Sequence, residues 1–239
     1  MTETSLRDLT GNHLLARLPK EDFLALQPHL TRVELPLRKV LERRNKRIEH
    51  VYFLEQGFAS VVANGSRHGG VEVGIIGREG ATGLAVIMGT DRSPHETYVQ
   101  LAGWGLRMSA QGLRQAMDER PSLRRALLHY GHAFTVQTAY TALANGRGKI
   151  EERLARWLLM AHDRAEGHDL SLTHEFLALM LGVRRPGVTI ALNRLEQDGL
   201  IRAKRGVISI FERAGLVAAA NGTYGAPEME FKRLFGERA

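Results

Sequence analysis

The sequence predicts a mixed α+β chain in which a jelly-roll β-barrel comes first, a long helix follows and a winged helix-turn-helix comes last. Three observations predict it. From about Val33 to Leu106 the text is rich in glycine and β-branched residues, in short runs. From Ser109 onward the apolar period becomes helical. Between Leu172 and Ile201, small, glycine and apolar residues fall at the offsets of two closely crossed helices.

The β-rich runs are Val51–Leu54, Ser60–Ala63, Val71–Ile76, Thr97–Leu101 and Gly105–Met108, divided by Gly57, Gly65, Gly69, Gly70, Gly77, Gly80 and Gly103. Short strands with turn residues at this spacing close into a sandwich or jelly roll. Ahead of them, Leu14, Leu15, Leu18, Phe23, Leu24 and Leu26 predict two short helices around Pro19. Six of the ten residues from Arg38 to Arg47 are basic, a run read as a solvated loop or strand edge. Gly74 to Gly80 superficially matches a nucleotide fingerprint, but a strand-rich context with no following helix makes it barrel turns. Tyr98, Trp104 and Tyr140 read as core or interface residues.

Pro121 suits the first turn of a long helix, where its missing N–H costs nothing. Leu123, Leu127, Tyr130, Phe134, Gln137, Thr141 and Ala144 then alternate in steps of four and three. Such a seam belongs to a coiled coil or to a helix packed on its own domain. The length of the helix and its place between two domains favour a dimer interface through Leu123, Leu127, Tyr130, Phe134, Gln137 and Thr141, the two polar residues setting register. The glycines of Asn145–Gly148 are expected to end the helix in a hinge. A further helix is expected from about Ile150 to Ala165, with Gly167 closing it.

Next comes the segment that carries the chemistry. Thr173 is a good N-cap, Ala178 is small where helices cross, Gly182 supplies the turn, and Val188, Leu192 and Leu195 form the inward face of the second helix. Its outward face carries Arg184, Arg185, Thr189 and Asn193, the expected base readers, since arginine at the start of such a helix pairs bidentately with guanine in the major groove. A hairpin turning near Lys204, Arg205 and Gly206 makes a basic wing. Phosphate contacts are expected from Thr173, Arg194, Lys204 and Arg205. Residues 171–213 hold seven basic against four acidic residues, the clearest local excess in a chain of formal charge +7.

Composition excludes much else. With no cysteine among 239 residues, disulfides, thiolate-held iron–sulfur clusters and a cysteine nucleophile are ruled out. No apolar run approaches the ~18 residues of a membrane span, and the polar Met1–Asp8 is not a secretory signal, so a cytoplasmic location is expected. His162, His168 and His174 lie six apart across a loop, which is not metal-ligand spacing on one helix; surface positions are expected. No Ser/His/Asp set or carboxylate pair stands out, and no enzyme is expected. The alternatives weighed are a nucleotide or small-effector sensor whose helix-turn-helix-like tail makes protein contacts, and a jelly-roll metalloenzyme, which lacks its ligand cluster.

Taken together, the order of elements, Ile48–Gly57 and Val73–Gly80 in the β-rich part, and Leu195–Ile201 after the second helix resemble the Crp/Fnr family of bacterial transcription regulators. The resemblance implies a cyclic-nucleotide-binding-like sensor barrel over residues 1–120, a dimerisation helix over 121–145 and a DNA-binding domain over 146–239. It further implies a homodimer on a pseudo-palindromic double-stranded operator, with RNA polymerase as partner. The phosphate-binding cassette departs from the family's pattern: after Gly83, Leu84 stands where the family has glutamate, and Glu96 stands near its expected arginine, with Arg92 close by. A buried phosphate without a paired cation costs several kcal/mol, so no cyclic nucleotide and no cofactor is expected, and the effector is left unnamed. On the second helix Arg185 matches the family's first arginine, but Pro186, Gly187 and Ile190 depart, predicting a different operator.

Overall fold

The computed structural model describes residues 10–65 and 70–236; the expectations for Met1–Asp8 and the turn glycine Gly69 lie outside them. A short 3-10 turn at Leu15–Arg17 and helix α1 (Lys20–Leu26) form around Pro19 as expected. Strands β1 (Thr31–Leu35), β2 (Val40–Glu42), β3 (His50–Leu54), β4 (Phe58–Asn64), β5 (Gly70–Ile76), β6 (Glu96–Leu101) and β7 (Gly103–Ser109) build the barrel. The basic run from Arg38 to Arg47 thus contains a strand, β2. All pairings are antiparallel, in two sheets ordered β1-β7-β3 and β2-β6-β4-β5, which leaves β5 at an edge. Between the sheets lie Leu35, Leu54, Ala59, Val61, Ile76 and Val99.

Helices α2 (Leu84–Ile87), α3 (Ala110–Glu119) and α4 (Pro121–Arg147) follow the barrel text. Ser109 caps α3 by accepting from the Gly112 N–H. The seam residues of α4 face the chain's own barrel: Leu123 and Leu127 are fully buried and Tyr130 is 3% exposed, its hydroxyl donating to the Ala81 carbonyl at 2.8 Å. Gln137 accepts from the Ile75 N–H at 2.7 Å and donates to its carbonyl at 3.2 Å, so the side chain supplies the missing neighbour of edge strand β5. Phe134 and Gln137 come close to β5 at Gly74, where a Cβ would stand 2.6 Å from the Phe134 ring. Thr141 turns inward to donate to the Gln137 carbonyl. Leu123, Leu127, Tyr130 and Gln137 are thus engaged within the chain, by an apolar barrel wall and a strand edge, while Phe134 and Thr141 are half-buried.

The outer face of α4 carries a second stripe in the same four-three alternation: Leu128, His132, Thr135, Ala139 and Ala142, all exposed. The expected break falls at the last residue of Asn145–Gly148. The helix continues through Asn145 and Gly146 to Arg147, and only Gly148 leaves it. One glycine inside a helix costs about 1 kcal/mol, too little to end 27 residues of continuous hydrogen bonding.

Helix α5 (Ile150–His162) is buried nearly all round, from Leu154 to Ala161. Then come β8 (Asp169–Ser171), α6 (His174–Leu181), α7 (Arg185–Gln197), β9 (Ile201–Lys204), β10 (Val207–Ile210), α8 (Arg213–Ala219) and α9 (Ala226–Phe235). One core runs through the C-terminal unit and into the barrel, joining Leu158, Leu177, Val188 and Leu192 to Phe58, Val62 and Ile75. Trp157 sits at this junction, edge-on to Phe58 and Phe176, with its indole N–H donating to Glu72 of β5 at 2.7 Å. Arg156 ties α5 to the Gln137 and Thr223 carbonyls. Helix α9 returns to pack along α4, with Phe231 and Phe235 against the core that holds Leu14, Phe23 and Leu127. Among the described residues no helix is long and apolar enough to cross a membrane.

Candidate nucleic-acid interface

Helix α6 begins at Thr173, whose hydroxyl accepts from the Phe176 N–H at 3.2 Å. It ends at Gly182, whose φ of +61° is the left-handed turn that glycine adopts without strain. Ala178 is nearly buried beneath α7, and Val188, Leu192 and Leu195 are buried under it. Pro186 lies in the first turn of α7, behind Arg184 as N-cap residue. The spacing of small, glycine and apolar residues thus builds the crossed pair it predicts.

Packing on one side leaves a polar row on the other. Arg184, Arg185, Asn193 and Arg194 are exposed. None of the three arginines makes an ion pair or side-chain hydrogen bond with any described residue. Thr189 behaves differently from the expectation: half-buried, it meets the His174 ring nitrogen at 2.9 Å and reaches its own Arg185 carbonyl, so it holds α6 to α7. Beside it stands Ile190, 64% exposed. An apolar side chain left in solvent on this face suits a thymine methyl group. The sequence contained that signal, since Ile190 falls one helical turn before Arg194 on the side away from the Val188–Leu192–Leu195 stripe.

The wing is a hairpin of β9 and β10, with β8 as a third strand on β10. Arg205 and Gly206 at its tip have φ of 51° and 81°, the pair of left-handed residues that a two-residue hairpin needs. Lys204 and Arg205 are exposed there. Glu196 of α7 accepts from the Ala203 N–H at 3.1 Å and fixes the wing beside the helix. Thr173, Arg194, Lys204 and Arg205, the expected phosphate contacts, all lie on exposed positions around α7.

In the barrel, Gly83 has φ +80° and opens α2, with Leu84 half-buried behind it. Its N–H donates at 2.5 Å to Glu42, which also accepts from the Thr97 hydroxyl at 3.2 Å. Glu42 is buried; burial pushes its carboxyl above the ordinary range, against the hydrogen bonds from Gly83 and Thr97. Arg92 points elsewhere, exposed and beside Asp91 at 3.5 Å, while Glu96 lies half-buried on β6. The four expected pocket residues therefore do not converge on one group, and the cassette amide is occupied by a carboxylate that sequence reading missed within the basic run. His162 is half-buried rather than on the surface, stacked on His168 at 5.7 Å. Among the described residues no cluster of histidines and carboxylates could hold a metal ion.

A β-barrel, a long helix and a winged helix-turn-helix in this order define the fold. Residues 152–219 match the family model of the Crp-like helix-turn-helix domain. Over 80% to 87% of its length the chain shares the fold of solved Crp/Fnr-type transcription regulators. FixK2 from Bradyrhizobium japonicum superposes with a TM-score of 0.69 at 17% identity, over 80% of this chain and 96% of that one. A candidate transcriptional regulator of the Crp/Fnr family from Eubacterium rectale gives 0.68 at 15%, over 87% and 98%. The c-di-GMP responsive regulator CLP of Xanthomonas campestris gives 0.63 at 18%, over 81% and 99%. No curated protein sequence matches the chain.

Proposed function

We propose that the chain is a cytoplasmic, sequence-specific transcription regulator of the Crp/Fnr type, binding double-stranded DNA as a homodimer on a pseudo-palindromic operator and acting on RNA polymerase. The observation that carries this reading is the row of arginines on α7, exposed and without internal partners, flanked by a basic wing. Arg184, Arg185, Asn193 and Ile190 read bases; Arg194, Lys204, Arg205 and the α6 N-terminus at Thr173 meet phosphates. Residues 1–120 serve as sensor, 121–145 as dimerisation helix and 146–239 as DNA-binding domain.

Selection from random duplexes tests this directly. Binding should weaken steeply as salt rises, through counterion release. Arg185→Ala should cost about 1–3 kcal/mol on the selected operator and relax preference at one base position, measured by competition titration. An equal loss on every duplex would assign Arg185 to phosphate, and no binding at ~50 mM salt would sink the reading.

Two recognition helices set about one DNA turn apart need a partner along α4. On the outer face of α4, Leu128, Thr135, Ala139 and Ala142 are exposed at heptad spacing, with His132 among them paired to Glu230 of α9, and a second copy would pack along the four. Leu128→Glu should shift the chain to monomer in analytical ultracentrifugation, weakening self-association by about 2–4 kcal/mol. A wild-type monomer at micromolar concentration would end the proposal.

Cyclic AMP has no role in this reading. Glu42 already occupies the Gly83 amide that a cyclic phosphate would need. Tight cyclic AMP binding in calorimetry would overturn this point.

A further inference from the structure

The sensor barrel, the long helix, the C-terminal unit and α9 enclose a cleft of about 700 Å³ that the DNA-binding reading does not use. One wall is apolar, formed by Ala133 and Phe134 of α4 with Pro227 and Phe231 of α9. Helix α9 lies beyond the stretch 152–219 that matches the Crp-like domain, so the cleft is made by an element appended to that domain.

Most charges in the cleft are already matched. Arg164 bonds Glu79 at 2.7 Å, and Arg213 bonds Asp163 at 2.5 Å and the Tyr224 hydroxyl at 2.7 Å. Glu228 accepts from the Gly225 N–H, and burial pushes its carboxyl up. Two donors are left over. The Arg78 guanidinium, on the turn after β5, has no ion pair or hydrogen bond with any described residue. The His162 Nε2 is buried and without a partner. Its Nδ1 stands 3.1 Å from an Arg213 N–H, which can only donate, so the neutral ring carries its proton on Nε2. Burial and the Arg213 charge hold the ring below the usual histidine pKa, in keeping with that neutral form.

We infer that this cleft binds a small organic anion, whose apolar body lies on Phe134 and Phe231 and whose carboxylate or phosphate head takes Arg78 and the His162 Nε2–H. A cleft of this size with one apolar wall and a few unmatched polar groups is a usual form of a small-molecule site. An occupant would touch all four units at once and favour the docked arrangement over any other.

Calorimetry on the full chain without DNA keeps this test separate from the DNA reading. The probes are phenylacetate, phenyl phosphate, inorganic phosphate and benzyl alcohol. At least one aromatic anion should bind tenfold or more tighter than benzyl alcohol and than inorganic phosphate. Phenylacetate and phenyl phosphate separate a carboxylate head from a phosphate head. Arg78→Ala and Arg78→Gln should each weaken that binding at least tenfold with the thermal midpoint unchanged, while Arg92→Ala on the far barrel surface leaves it intact. Equal binding of benzyl alcohol, indifference to both Arg78 variants, or no binding of either aromatic anion would overturn the inference.

Discussion

Stability is expected to fall by about 3 kcal/mol as pH rises from 4.5 to about 7, and Glu72→Gln is expected to remove that component. Glu72 lies in β5 at the seam between barrel and C-terminal unit, accepting from Ser60 at 2.5 Å and from Trp157 at 2.7 Å. Burial pushes its carboxyl up to about 7, while the two hydrogen bonds and the Arg156 and Arg164 charges pull the other way. The folded chain therefore holds this proton more tightly than the unfolded chain does. Its contribution is fully present below the unfolded value of 4.5, declines as pH rises and is gone above about 7. Urea unfolding of both proteins at half-unit pH steps measures it. Other carboxyls titrate in both, so the difference between the curves isolates Glu72. Parallel curves would show that this carboxyl titrates normally.

Replacing its partner should cost more. Trp157→Ala is expected to destabilise the fold by about 3–5 kcal/mol, because it removes the largest side chain at the junction and strands a hydrogen-bond acceptor. The indole is 3% exposed and touches Phe58 of the barrel as well as Phe176 of α6, so the cavity would open in both units. Trp157→Phe retains a six-membered ring but loses the pyrrole part of the indole with its N–H, for about 1–3 kcal/mol. A loss below 1 kcal/mol for the alanine variant would mean that the two units are coupled elsewhere.

The helix-turn-helix was legible because its constraints are local. A cap, a small crossing residue, a left-handed glycine and an apolar stripe all fall within about twenty residues, and each is tied to one position. The barrel strands were legible as runs, yet β1 and β2 were not, since β1 has only two apolar residues among polar and charged ones and β2 is three residues long inside a basic run. The α4 seam shows a different limit. Periodicity shows that one face of a helix is covered; it does not say by what. Gln137 looked like a register-setting residue of a coiled coil, whereas its partner is a strand edge 62 residues away in the sequence. Thr189 was placed correctly on α7, but its hydroxyl was claimed by His174, a pairing that no helix pattern encodes. Glu42 was hidden by its neighbours: six basic residues made the segment read as surface, though the carboxyl among them points inward.

Helix α9 also constrains the order in which the protein is made. Its Phe231 and Phe235 belong to the core laid down around Leu14, Leu15 and Phe23, and Arg17 donates to the Phe235 carbonyl across 218 positions. At about 5–20 residues per second of synthesis, the barrel waits roughly 6–25 seconds on the ribosome with that apolar wall bare. Nascent chains stalled before residue 226 should therefore bind holdase chaperones through the barrel, although every barrel strand has already been translated.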